Sequence, residues 1–153
     1  LVRNPTNFGT TTVASADTRR QLFAAIFSSV SGTFTADEEI NQASTGAVGK
    51  VVEFDSTNKI LYFYQTRFPD CGADSNGNLT AFSGANAITG QSSSASATPD
   101  TSNSTTTNGT VFVSGYSNPE LAFDSGDIIY VEERSPITRA SDQTENIKLI
   151  IEF

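Results

Sequence analysis

Residues 125–153 read S-G-D-I-I-Y-V-E-E-R-S-P-I-T-R-A-S-D-Q-T-E-N-I-K-L-I-I-E-F, and this stretch decides the fold class. Two apolar runs flank a middle dense in charge, with Glu132, Glu133, Arg134, Arg139, Asp142 and Glu145. Gly126 after Ser125 suits a tight turn into a strand over Ile128, Ile129, Tyr130 and Val131. Pro136 ends that ladder, because it has no N–H to donate. Asp142, Gln143, Thr144 and Glu145 offer turn chemistry before a last strand. In that strand Ile147, Leu149, Ile151 and Phe153 share one face and Lys148, Ile150 and Glu152 the other. Arg134 and Arg139 sit among at least four acids. A guanidinium fork holds two carboxylate oxygens at once, so it suits either an internal brace or a subunit contact.

Working outward, the chain is rich in Thr, Ser, Val, Ile, Phe and Tyr, and Gly and Asn interrupt it. That composition favours many short strands joined by turns. The expected fold is all-β and mainly antiparallel, a sandwich or barrel-like body with an inserted β-hairpin module and at most one short helix. Val51-Val52-Glu53-Phe54 and Ile60-Leu61-Tyr62-Phe63-Tyr64 flank the polar run 55–59, which predicts a hairpin. The second run is apolar on both faces. It is expected in the middle of a sheet, with one face on the core and the other under a loop or a partner. Around Leu22, Phe23, Ile26, Phe27 and Val30 the spacing admits a strand or a short helix capped by Asp17. Asn76-Gly77 is the strongest turn signal, and Gly46 and Gly49 predict a turn or bulge where a strand begins. Residues 91–109 lack large apolar side chains and read as a mobile low-complexity surface loop.

The length of 153 residues suits one domain. The net charge of −8, from 9 basic and 17 acidic residues, argues against nucleic acid and against an anionic membrane surface. No apolar run approaches the roughly 20 residues of a membrane span. There is no His, the commonest general base and metal ligand, so neither an enzyme nor a cofactor is implied. Cys71 stands alone and cannot form an internal disulfide; it reads as a small buried apolar residue. The sequence contains no Met, and Leu1 is expected to be the boundary of a fragment of a longer protein.

Other motifs read blandly. Ser56-x-x-Lys59 lies in a hairpin turn rather than on the helix that acyl-serine chemistry needs. Asp70, Asp74, Asn76 and Asn78 lack the Gly and Glu of a 12-residue calcium loop. Glu38-Glu39 and Glu132-Glu133 are sequence neighbours, so on strands they point to opposite faces and form no catalytic pair. Tyr62, Phe63, Tyr64, Phe68 and Tyr116 admit three roles: core packing, a protein interface or a sugar platform.

The order Ser-Gly-acid, apolar pair, Tyr130, Glu132, Arg134, Pro136-Ile137, then Ala140-x-Asp142-Gln143-Thr144-Glu145 and a final apolar strand resembles the C-terminus of the baseplate wedge subunit of contractile-tailed (T-even-type) bacteriophages, the gene-eight product family. Val2-Arg3-Asn4-Pro5 is similar to the strand and Asn-Pro that precede that motif in the family. Residues 34–52 resemble a Gly-punctuated β module of phage tail proteins. The resemblance implies a structural virion protein of the phage tail baseplate, assembled in the host cytoplasm. Other baseplate wedge proteins are its implied partners, and a homodimer is implied too. Gly126, Tyr130, Glu132, Arg134, Pro136, Arg139, Asp142, Gln143, Thr144 and Glu145 carry the motif and are expected at an interface. On this reading residues 1–16 and 110–153 form the wedge-like body and 17–90 an inserted module. The alternative is a carbohydrate- or receptor-binding module of a phage tail.

Overall fold

A computed structural model describes residues 2–15, 20–65, 72–73, 76–122 and 125–131. Eleven strands and no helix are found among these residues. The chain is all-β and antiparallel.

The centre is a seven-stranded sheet in the order β10-β2-β5-β4-β3-β6-β7. These strands are β2 (Phe23–Ile26), β3 (Glu39–Gln42), β4 (Ala47–Asp55), β5 (Ile60–Tyr64), β6 (Ile88–Gly90), β7 (Ser96–Ala97) and β10 (Tyr116–Ser117). The far edge does not stay open. Ser31 and Ser96 exchange two backbone bonds of 2.9 Å, Phe27 bridges Pro99, and Asp100 N–H donates to Ile26 C=O at 2.8 Å. The run after β2 therefore meets the β7 side, and the sheet curls into a barrel, which removes an exposed edge.

The predicted hairpin is β4–β5, in register Val51↔Phe63, Phe54↔Leu61 and Asp55↔Ile60. Val52 is the extra residue of a bulge, so the bulge lies beyond Gly49 rather than at it. Gly46 makes the turn between β3 and β4 with φ +76°. Strand β5 has neighbours on both sides, and both of its faces are covered. Leu61 and Phe63 point inward with Ala25, Ile40, Val51, Phe82 and Ile88. Ile60 and Tyr62 point outward under Phe112, with Ala24 and Ile26.

The same alternation explains the ambiguous run at 22–30. Phe23, Ala25 and Phe27 belong to the inner cluster, and Ala24 and Ile26 to the outer one. A strand buried on both faces carries apolar side chains at every position, and this imitates helical spacing. The helix alternative is overturned for the described residues. Asp17 lies outside them.

The outer cover is a small meander. Strands β8 (Thr106–Thr107) and β9 (Thr110–Val111) pair around Asn108-Gly109, with φ of 48° and 73°. Ser114-Gly115, with φ of 50° and 79°, turns the chain again, and Val113 bridges Tyr116. Paired positive φ values mark the two-residue turns whose twist matches that of hairpin strands. Phe112, 1% exposed, points in, and Val111 and Val113 point out.

Residues 91–109 hold more structure than their composition suggests. They contain β7 and β8 and bury Ala95 and Ala97. Small side chains suffice here, because the segment is held by backbone bonds and by one carboxylate. Glu38, 4% exposed, accepts from Thr35 N–H (2.7 Å), Ser92 N–H (3.1 Å), Ser93 N–H (2.9 Å) and Ser93 O–H (2.8 Å). Burial pushes this carboxyl up, but the hydrogen bonds from Ser93, Thr35 and Ser92 outweigh burial and hold it below its ordinary value. A Cβ on Gly90 would come within 2.7 Å of both Glu38 oxygens, so Gly90→Ala is expected to destabilise the barrel by about 1–3 kcal/mol in denaturant unfolding.

Gln42, fully buried, closes a second polar knot. Its Nε2 donates to Asn86 C=O (2.8 Å) and Tyr116 Oη (3.1 Å), and its Oε1 accepts from Ser83 N–H and Thr45 Oγ1, both at 2.9 Å. Tyr116 O–H passes on to Gly84 C=O at 2.8 Å. Burial raises the Tyr116 phenol pKa, and the Gln42 bond opposes this.

Candidate interaction surface

Outside the barrel, β1 (Val2–Arg3) pairs antiparallel with β11 (Asp127–Ile128), in register Val2↔Ile128 and Arg3↔Asp127. This joins the Val-Arg-Asn-Pro run to the Ser-Gly-Asp run across more than a hundred residues. The joint is closely built. Ser125 Oγ accepts from Thr6 N–H at 3.0 Å and donates to Ala122 C=O at 2.8 Å. Gly126 takes φ +91°, and a Cβ there would lie 2.7 Å from Arg3 O and 3.0 Å from Pro5 N. Both the conformation and the space demand glycine. Gly126→Ala is expected to separate β1 from β11, read as faster amide exchange at residues 2–6 and 125–128 with the barrel amides unchanged.

The Arg3–Asp127 pair spans 3.4 Å with both side chains largely in water, so it contributes little. What stands out is apolar exposure. Ile128 is 71% exposed and Val131 72%, with Ile129, Tyr130 and Val2 at half or more. Strand β11 takes only Ile128 of the predicted 128–131 strand, together with Asp127, and Ile129, Tyr130 and Val131 follow it as an extended apolar run outside regular pairing. Of the predicted site residues, Gly126 lies in the joint and Tyr130 on the apolar run. Glu132, Arg134, Pro136, Arg139, Asp142, Gln143, Thr144 and Glu145 lie outside the described residues, as do Glu133, Cys71, Phe68, Asp70 and Asp74.

The chain enters and leaves the barrel at one point. Arg20 C=O accepts from Glu120 N–H (2.7 Å) and Leu121 N–H (3.0 Å), and Arg20 N–H donates to Glu120 Oε2 at 3.0 Å. The Arg20 guanidinium donates to Leu22 C=O, to Ser117 Oγ at 2.6 Å and to Asn118 C=O at 2.6 Å. Burial lowers its pKa against the opposing pull of Glu120 and Tyr62. Beside it opens a cleft of about 460 Å³ with Glu53, Tyr62 and Glu120 on its walls. Sequence reading missed this arrangement, although Asn108-Gly109 and Ser114-Gly115 around Val-Phe-Val signal the meander that frames it.

The candidate catalytic and sugar groups do not converge among the described residues. Glu38 points in and Glu39 out. Ser56 and Lys59 stay in the β4–β5 turn, with Lys59 Nζ donating to Ser28 C=O at 2.6 Å. Phe63 and Tyr116 pack with the interior, while Tyr62 lies under Phe112 with its hydroxyl 3.2 Å from Thr110 Oγ1.

Among known protein families, the model of one described as Phage-Gp8 (bacteriophage T4, Gp8) matches residues 58–153. No curated protein and no solved structure matches the chain.

Proposed function

The chain belongs to the phage Gp8 family, and on that premise we propose that it is a wedge subunit of the tail baseplate that assembles through the β1–β11 ribbon and the segment following it. The family supports a structural role in a phage tail baseplate, together with other baseplate proteins. The observation that carries the finer reading is the run Ile128–Val131, four consecutive apolar residues all more than half exposed. An apolar run left bare is costly in water and gains when a partner covers it. Within this reading the guanidinium forks of Arg134 and Arg139 set the register between subunits by bonds to carboxylates. The protein acts by binding, as a dimer and with neighbouring wedge proteins, and needs no cofactor.

Ile129→Asp tests this. The variant is expected to keep the melting curve of the parent, because Ile129 is exposed, and to weaken capture by co-expressed baseplate proteins about tenfold or more. Assembly at parental strength by Ile129→Asp and by Val131→Asp alike would refute the ribbon as the contact.

A further inference from the structure

We propose that the outer face of the β8–β9–β10 meander is a second docking surface, built for an extended segment of another subunit that places a Lys or Arg beside an apolar side chain. This rests on the assembly reading above but uses a different face of the molecule.

Three observations carry it. First, Val111 and Val113 stand 62% and 69% exposed, side by side on the outward face of a strand whose inward Phe112 is locked in the outer cluster. The platform is thus fixed from below while its apolar tops remain uncovered. Second, clefts of about 460 and 450 Å³ open on this meander, and both have Arg20 and Glu120 in their walls. One holds Glu53 and Tyr62, and the other Val111 and Val113. A single guest reaching both would meet an acidic, aromatic-walled hollow next to an apolar shelf. Third, the one cation among the described residues of these walls is already committed. The Arg20 guanidinium is held by Leu22, Ser117 and Asn118, and its charge is balanced by Glu120, whose carboxylate accepts from Arg20 N–H at 3.0 Å, so Glu53 gives the hollow its net negative sign.

The net charge of −8 points the same way. Two copies of so acidic a chain repel at this face, whereas a basic segment of a different subunit is drawn to it. The chemistry fits one guest type. The methylene stem of a Lys or Arg lies along Tyr62 and Leu22 while its charge meets Glu53. The neighbouring apolar side chain of the guest rests on Val111 and Val113.

The test titrates the whole chain, isotope-labelled, with a ten-residue peptide alternating valine and lysine, and with a control in which glutamate replaces lysine. Saturating amide shifts at Val111, Val113 and Glu53 are expected with the lysine peptide and none with the glutamate peptide. Glu53→Gln is expected to weaken binding about threefold, the size of a solvent-exposed ion pair, and to flatten its salt dependence. Val113→Asp, at an exposed position, is expected to abolish the shifts without changing the melting curve. Equal binding of both peptides, or no shifts here at all, would overturn the proposal. So would self-association that disappears in Val113→Asp, since the surface would then be a contact between copies. The ribbon variants report separately: loss of capture in Ile129→Asp with a silent meander removes only this second surface.

Discussion

Phe63→Ala is expected to lower stability by about 3–5 kcal/mol, the largest loss of any single substitution in the barrel. Phe63 is 1% exposed on the strand with neighbours on both sides. Its ring stacks on Phe23 at 5.8 Å and meets Phe82 edge-on at 4.7 Å. A Cβ on Gly49 would touch both Phe63 and Phe82 at about 3.1–3.2 Å, so the ring lies against the backbone of β4 with no slack. Removing it leaves a hollow that these neighbours do not fill, because Phe23 and Gly49 are pinned by the registers of β2 and β4. Phe63→Leu keeps most of the volume and is expected to lose under about 2 kcal/mol. Thermal unfolding separates the two, at roughly 2–4 °C for each kcal/mol in a domain of this size. Equal losses for both variants would mean that the site repacks freely.

Glu38→Gln is the second large effect, and it carries a pH signature. The carboxylate receives four donors, and an amide turns an NH2 toward some of them. The expected loss at neutral pH is about 2–3 kcal/mol. Because the folded carboxyl titrates below its ordinary value, its stabilisation is fully present above the unfolded pKa and fades as pH falls through the folded one. The parent should therefore lose this share of its stability on acidification into the range below the ordinary carboxylate value. In Glu38→Gln that share of the slope should be missing. Urea midpoints between pH 3 and 7 for the pair measure it. Asp55 is also held low by its own hydrogen bonds and acts alike in both proteins, so only the difference between the curves counts. Parallel curves would show that Glu38 is not ionised in its nest.

Much of this fold is legible in the sequence, and the reasons are local. The β4–β5 hairpin follows from two β-rich runs around a turn, and the central place of β5 follows from its having no polar face. Val2-Arg3 and Asp127-Ile128 each carry the family resemblance, but their pairing with one another is seen only in the structure. Barrel closure is not legible. It runs through Ser31, Ser96 and Pro99, whose side chains say nothing about pairing, and through backbone bonds that composition does not encode. Nor does Glu38 announce that it is buried, since three of its four donors come from a serine-rich run more than fifty residues away. Residues 91–109 look unstructured because their interactions are made by hydroxyls and main chain rather than by apolar bulk. Of the motif that identifies the family, only the opening, through Val131, falls on described residues.

The antiparallel ribbon also decides how the molecule answers a pull. Tension between the N-terminal side of Val2 and the C-terminal side of Ile128 reaches both strands from the same end, so the rungs open one after another instead of sharing the strain. The bonds joining Thr6 to Ser125 and Ala122 and Phe8 to Glu120 come next, then those joining Arg20 to Glu120 and Leu121, and the barrel lies behind them. A subunit wired in this way yields first at its rim, like a tear strip, and keeps its centre intact.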